Sequence, residues 1–396
     1  MRIAIFSDNF YPELSGIADS IITLAKQLSV RGHKINFYVP KYSVKDFKKV
    51  GLSRNEIDID KNIKIHRFCS LPFPTATNQA RLVLPTGLRW LKVNKFKPDI
   101  IHSQLFFGVG LEALSASKIL KIPIIGTNHT AITEFKHYSP IKSQWFDKLS
   151  LNFAVWYYNQ CDFVTAPSQA VFDEMEHYGF KRPHLVISNP IDLATFKVEP
   201  KLDRASIRRK YNLSEQIIIY AGRLAKEKNL EVIIKALSLV KKKEAKINLA
   251  LAGHGKNENQ LKQLAKRLKV ENNVKFLGTV SKPILAKLYQ AAKIFIITST
   301  SETQSLTLMQ GFACGLPAIG VNSRALPEYI NRQNGFLVEP GDAKNLAEKI
   351  NLLLTNESLR QKLKQGALTF AKNFSAENIA KKWEKLYAKV ISDFKI

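Results

Sequence analysis

Apolar residues along this chain fall into short runs separated by stretches of helical period. In the first half the runs 2–7, 34–39, 63–68, 99–103, 122–127 and 162–166 are rich in β-branched and aromatic residues and read as buried strands. Between the first two, Ile17 to Val30 repeats apolar positions at helical spacing and is closed by Gly32, suited to a left-handed cap. The second half predicts strands at 216–221, 246–252, 274–277, 293–298, 317–320 and 336–338. Helices are predicted at 229–243, 257–268, 282–291, 304–314 and 343–354. Strand and helix alternating in this way predict parallel sheets wrapped by helices. The periodicity lapses near Pro190–Pro200, so the expected fold class is α/β, with two Rossmann-like doubly wound domains in tandem, 1–195 and 196–374. The last long helix, roughly 375–394, has no strand after it and is expected to pack back on the first domain.

Composition narrows the class. With 396 residues, 45% hydrophobic and 23% charged, there is chain enough for two cores, and disorder, collagen and coiled coil are excluded. Cys69, Cys161 and Cys314 are odd in number and lack a CxxC pair, so neither a disulfide framework nor a cysteine zinc site is expected. No run approaches the ~18–20 apolar residues of a membrane span, and no signal-peptide pattern precedes the strand Ile3–Phe6. The expectation is a cytoplasmic protein, soluble or peripheral on the inner face of the membrane.

The charge is the unusual quantity: 60 basic against 33 acidic residues, a net +27. A field of that sign suits an anionic partner, whether nucleic acid, anionic membrane or phosphorylated substrate. Lysine-rich composition explains it equally well, because lysines on helix faces are usually solvated. Charge alone decides nothing.

In open α/β sheets ligands bind beyond the carboxyl ends of the strands, so polar residues just after strands are the ones to examine. After the first strand comes Ser7 to Gly16, and Gly16 opens a helix whose backbone N–H groups an anion could approach. An ordinary turn glycine reads the same. After 216–221 come Gly222-Arg223-Leu224-Ala225-Lys226-Glu227-Lys228-Asn229; the planar fork of Arg223 and the point charge of Lys228, at a helix start, suit a diphosphate. Gly253-His254-Gly255 follows the next strand as a flexible turn with room for a ligand. After 293–298 come Ser299-Thr300-Ser301-Glu302-Thr303-Gln304-Ser305-Leu306-Thr307: a lone carboxylate for sugar hydroxyls, then a helix start for phosphate. An N-cap at Ser301 with Glu302 as a dipole-complementing acid is the plainer alternative.

Together with Ala313-Cys314-Gly315-Leu316-Pro317, these tags in this order resemble retaining glycosyltransferases of family four, which have the GT-B fold. The likeness extends to Pro98-Asp99-Ile100-Ile101-His102, Thr127-Asn128-His129-Thr130, Ser188-Asn189-Pro190 and Asn334-Gly335-Phe336, and so covers nearly the whole chain. Each tag is weak; nine in order are strong. Within the family the chain looks most like transferases that put glucose on diacylglycerol in bacterial membranes. The resemblance implies that Arg223 and Lys228 hold the nucleotide diphosphate and neutralise the leaving group. Gly16 and the helix start at Ser305-Leu306 would add backbone donors, Glu302 would bind the sugar hydroxyls, and His129 would face the sugar from the other domain. Gly222, Gly253, His254 and Gly255 complete the donor-site expectation, with no metal or cofactor. The family usually has a second Glu eight residues after the first, clamping the ribose; here that position is Gln310, a neutral amide with one good acceptor.

Some signals carry less. Asp58-Ile59-Asp60 matches the Asp-x-Asp of metal-dependent glycosyltransferases but precedes a strand. Gly108-Val109-Gly110-Leu111-Glu112-Ala113 fits a degenerate dinucleotide fingerprint without the acid that ribose needs. His33, His66 and His177 read as packing or surface histidines. For an acceptor held in a membrane, Arg89, Trp90, Lys92, Lys95 and Phe96 mix cations with aromatics as interfacial helices do, and Lys41 to Lys49 adds lysines with Tyr42 and Phe47. A core-facing helix with a solvated basic side uses the same letters.

The leading expectation is a hexosyltransferase moving glucose from UDP-glucose to a lipid acceptor such as 1,2-diacylglycerol, on an anionic membrane surface. A soluble or polyprenyl-linked sugar acceptor in cell-wall or exopolysaccharide assembly is the alternative. Nucleic-acid binding is a distant third, since no recognition-helix or RNP-like motif accompanies the charge.

Overall fold

A computed structural model describes residues 1–13, 15–49, 57–73, 80–130, 144–241 and 246–394. The backbone divides into two compact units, Met1–Pro190 with Ala376–Ile396, and Ile191–Ser375. The first holds β1 (Arg2–Phe6), β2 (Lys34–Pro40), β3 (Ile63–Phe68), β4 (Leu71–Pro72), β5 (Arg81–Leu82), β6 (Ile100–Ser103), β7 (Ile124–Thr127), β8 (Phe163–Ala166) and β9 (His184–Val186). Seven of them form one sheet in the order β3-β2-β1-β6-β7-β8-β9, and β4 with β5 makes a small antiparallel ribbon. The second unit holds β10 (Gln216–Ala221), β11 (Ile247–Ala252), β12 (Val274–Gly278), β13 (Ile294–Ile297), β14 (Ala318–Val321) and β15 (Gly335–Val338), in the order β12-β11-β10-β13-β14-β15. Each pair of neighbours in both large sheets runs parallel. The chain is therefore α/β with two Rossmann-like parallel-sheet units, as the sequence predicts.

Alternation along a strand sends successive side chains to opposite faces. In β1, Ala4 and Phe6 join a core with Val109, Ala113, Tyr157 and Tyr158. Ile3 and Ile5 face the other way, into a core with Ile21, Leu24 and Leu28 of the helix Gly16–Val30. The terminal helix Ala376–Phe394 completes that second face with Ile379, Trp383 and Tyr387. One edge of the Arg31 guanidinium clamps Glu384 of that helix, Nε and Nη2 donating at 2.8 and 2.6 Å.

Every predicted run contains a strand. The edge strand β9, half-exposed with only three residues, lacks the buried apolar run that would have marked it. The predicted helix 229–243 begins at Leu230 and is described to Lys241; its last residues lie outside the described ones.

In each sheet the chain order reverses beside the first strand, between β1 and β6 and between β10 and β13. These are the switch points, where diverging loops leave a crevice at the carboxyl ends.

Candidate functional site

In the second unit the loop after β10 is sewn to the loop after β13. Asn229 sits in the left-handed region (φ 50°), which asparagine tolerates, and its amide donates to the Thr298 carbonyl at 3.3 Å and to Thr300 Oγ1 at 3.2 Å. The Thr298 hydroxyl returns a bond to the Lys228 carbonyl at 2.9 Å. This stitching sets Lys228, at the end of a short 3₁₀ turn, against the next loop. Its Nζ donates to Glu302 Oε1 at 2.7 Å and reaches Ser299 Oγ at 3.4 Å. Burial alone would push the Glu302 carboxyl up; the Lys228 charge and hydrogen bond, with help from Ser299 and Arg223, hold it below its ordinary value instead.

Arg223 is more exposed, and its Nη2 contacts Glu227 Oε1 at 3.0 Å. Ser305 caps the helix Leu306–Ala313, its hydroxyl accepting from the Leu308 N–H at 3.3 Å. Gln310 lies half-buried in that helix. The cap is therefore Ser305 and not Ser301, and Glu302 turns to Lys228 instead of complementing the helix end.

Gly222 and Gly253 come together. A Cβ on Gly253 (φ 145°) would stand 1.9 Å from the Gly222 carbonyl oxygen, and one on Gly255 would stand 2.1 Å from that of Leu224. These glycines are required by two loops packing backbone to backbone. Backbone of the neighbouring loop lies where side chains at Gly253 and Gly255 would stand, and the largely exposed His254 contacts Glu258 at 3.1 Å.

In the first unit, Gly16 opens its helix behind Ser15, whose hydroxyl accepts from Ala18 N–H. His129 is buried two residues past β7, with Nε2 2.7 Å from Gln104 Oε1. The Gln104 amide nitrogen lies 2.9 Å from His102 Nε2, and His102 Nδ1 lies 2.7 Å from the Tyr387 hydroxyl. An amide N–H must donate, so His102 accepts at Nε2, carries its proton on Nδ1, and donates to Tyr387; His129 donates from Nε2. Burial lowers His129 to about 4 and holds His102 well below the ordinary imidazole range. Both rings are neutral at pH 7. Ser20 and Ile21, from the helix that Gly16 opens, line a small cavity with His102, Gln104 and His129.

The segment expected to face a membrane is divided by the fold. Trp90 and Phe96 pack partly buried on the core, and Phe96 carries the Arg2 guanidinium over its ring at 5.2 Å. Arg89 lies over Phe68 at 4.4 Å and 3.7 Å from Glu112. Exposed instead are Lys92, Lys95 and Lys97, beside Leu84, Leu88 and Leu91 at 57%, 66% and 54%. Tyr42 and Phe47 are likewise buried, leaving Lys41, Lys45 and Lys48 outside. Asp60 accepts from Ser29 and, at 2.9 Å, from the Asn62 N–H, a turn-forming role.

The family model "Glycosyltransferase Family 4" matches residues 14–195 and "Glycosyl transferases group 1" matches 203–370. The chain belongs to the family-four, GT-B glycosyltransferases. This glycosyltransferase is 29% identical over 99% of its length to the alpha-monoglucosyldiacylglycerol synthase of Streptococcus pneumoniae, covering 86% of that protein. It is 25% identical over 99% to the Acholeplasma laidlawii protein of the same name, covering 98% of it. The N-acetyl-alpha-D-glucosaminyl L-malate synthase of Bacillus anthracis matches at 26%, with 97% of each chain covered. Among solved structures, Anabaena HepE in complex with UDP and glucose superposes with a TM-score of 0.78 at 21% identity, covering 98% of this chain and all of that one. Among the described residues of the glycosyltransferase no helix is long and apolar enough to cross a membrane.

Two polar residues have no role in the sequence reading, Gln104 and Thr298. Both directly follow strands, β6 and β13, and that position was the available signal.

Proposed function

We propose that this glycosyltransferase is a retaining hexosyltransferase moving glucose from UDP-glucose to a lipid hydroxyl such as that of 1,2-diacylglycerol. The observation that carries the reading is the Lys228–Glu302 pair spanning the β10/β13 switch point, where a fixed cation and an ionised carboxylate stand side by side. Lys228 and Arg223 take the diphosphate and neutralise the charge that grows as the sugar–phosphate bond breaks. Glu302 accepts from sugar hydroxyls, and the backbone N–H groups at Ser305-Leu306 and at Gly16 add to the phosphate cradle. His129, neutral and held by Gln104, offers the sugar an uncharged face. Two cations meet the leaving group directly and Asp60 is committed to its turn, so the reaction proceeds without a divalent metal.

The lipid acceptor is favoured by similarity over nearly the full chain to two alpha-monoglucosyldiacylglycerol synthases. The exposed leucines and lysines of the 84–97 segment fit a membrane surface on the cytoplasmic side. A soluble acceptor is the second reading, favoured by the likeness to the L-malate synthase.

The test is a screen of nucleotide sugars in EDTA, with diacylglycerol vesicles or soluble hydroxy acids as acceptors. Glucose transfer from UDP-glucose to diacylglycerol without metal is expected. Transfer only to soluble acceptors would replace the lipid, and activity only after magnesium or manganese is added would overturn the metal-free mechanism.

A further inference from the structure

The second unit has a cavity of about 190 Å³ at the end of its sheet opposite Lys228 and Glu302, well beyond the roughly 10–15 Å³ that admits one water. Lys293, which immediately precedes β13, lines it; Thr298 leaves the other end of that strand about 16 Å away. Five cations converge here, Arg204 and Arg208 from one helix, Lys293, and Arg360 with Lys364 from another, against one lining carboxylate, Glu357.

The arginines are fixed. Arg204 Nε donates to the Gln290 carbonyl at 2.9 Å, and Arg360 Nη1 donates to that of Leu353 at 2.6 Å and pairs with Glu357. Arg208 leans on Glu215 at 3.3 Å. The ammonium groups of Lys293 and Lys364 have no hydrogen-bond or ion-pair partner among the described residues. Burial, then the charge of Arg360, holds Lys293 below the ordinary ammonium value, with Arg208 and Arg204 adding to it and Glu215 opposing. Like charges gathered in a partly desolvated concavity repel, and folding tolerates this at a cost that an anion would remove.

We propose that this concavity is a second binding site, for a phosphate-bearing anion held by the Lys293 and Lys364 ammonium groups between the positioned arginines. Phosphate suits the set because its three acceptor oxygens can meet several donors at once. The group comes either from a small soluble ester or from a lipid headgroup. The site is separate from the donor end of the sheet and stands whatever the sugar acceptor proves to be.

The experiment is calorimetric titration of the full chain with inorganic phosphate and with glycerol phosphate, beside flotation with phosphatidylglycerol and phosphatidylcholine vesicles. Each is repeated on Lys293→Gln/Lys364→Gln, and on Arg208→Gln as a second variant, all checked for native circular dichroism. The double variant removes two charge-assisted hydrogen bonds to the anion, so it should bind at least about tenfold more weakly. Loss of soluble-ester binding assigns a free phosphate ester; loss confined to phosphatidylglycerol vesicles assigns a headgroup. Absence of binding by wild type to every probe, or equal binding by wild type and both variants, would overturn the proposal.

Discussion

Lys228 Nζ lies 2.7 Å from Glu302 Oε1, with 16% and 13% of the two side chains exposed, although the residues are 74 apart in sequence. A pair this sheltered loses more from removing one partner than from removing both, because the survivor is left charged and unsolvated. Lys228→Ala and Arg223→Ala should each lower turnover about 10²-fold or more, as loss of a transition-state charge stabiliser does. Glu302→Gln should lower turnover strongly and leave UDP affinity nearly intact. In a double-mutant cycle the Lys228 and Glu302 effects should be far from additive. Near-normal rates in both cation variants would remove them from the leaving-group role.

Gln310 lies in the helix capped by Ser305, and in the proposed donor site its neutral amide would meet the ribose. Gln310→Glu should tighten UDP binding modestly by supplying a charged acceptor. Calorimetry returning unchanged or weaker affinity would move the ribose elsewhere.

Burial lowers His129 to about 4 from an ordinary 6.5, so the unfolded chain binds a proton over that interval while the folded unit does not. The first unit should therefore lose stability as pH falls from 6.5 towards 4, by about 3 kcal/mol from this ring. His102, also held low, adds in the same direction. Asp8, raised to about 6 mainly by burial, runs the opposite way, losing its contribution as pH rises from 3.8 through 6. Urea unfolding at several pH values should show a shallower acid slope for His129→Gln than for wild type; identical slopes would place the proton on another group.

At the proposed membrane surface, Lys92, Lys95 and Lys97 are exposed, and each basic residue near an anionic bilayer is worth about 1 kcal/mol. Changing these three to Ser should weaken binding to anionic vesicles and lower transfer to lipid, while donor hydrolysis survives. Leu84→Ser/Leu88→Ser/Leu91→Ser should weaken binding in a way that salt does not mimic, because apolar insertion is unscreened. Trp90→Ser should act through stability, since that ring packs on the core. Equal lipid activity in neutral and anionic vesicles, with both triple variants unaffected, would favour a soluble acceptor.

Much of this was legible without coordinates. Buried parallel strands announce themselves as apolar runs, and helices as a 3.6 period, because each pattern belongs to one segment and one face. The loops that follow strands could thus be found, and with them Arg223, Lys228 and Glu302, whereas His129 was marked by the family resemblance. What a side chain in such a loop turns towards is a different kind of fact. Glu302 faces Lys228 because Asn229 and Thr298 sew two distant loops together. Gly253 and Gly255 serve loop packing, and Trp90 and Phe96 turn inward while their neighbouring lysines turn out. The cations at the far end of the sheet come from three segments that meet only in the fold. Periodicity along the chain fixes which elements form; register, burial and side-chain direction between elements fix which residues meet, and those exist only once the sheets are assembled.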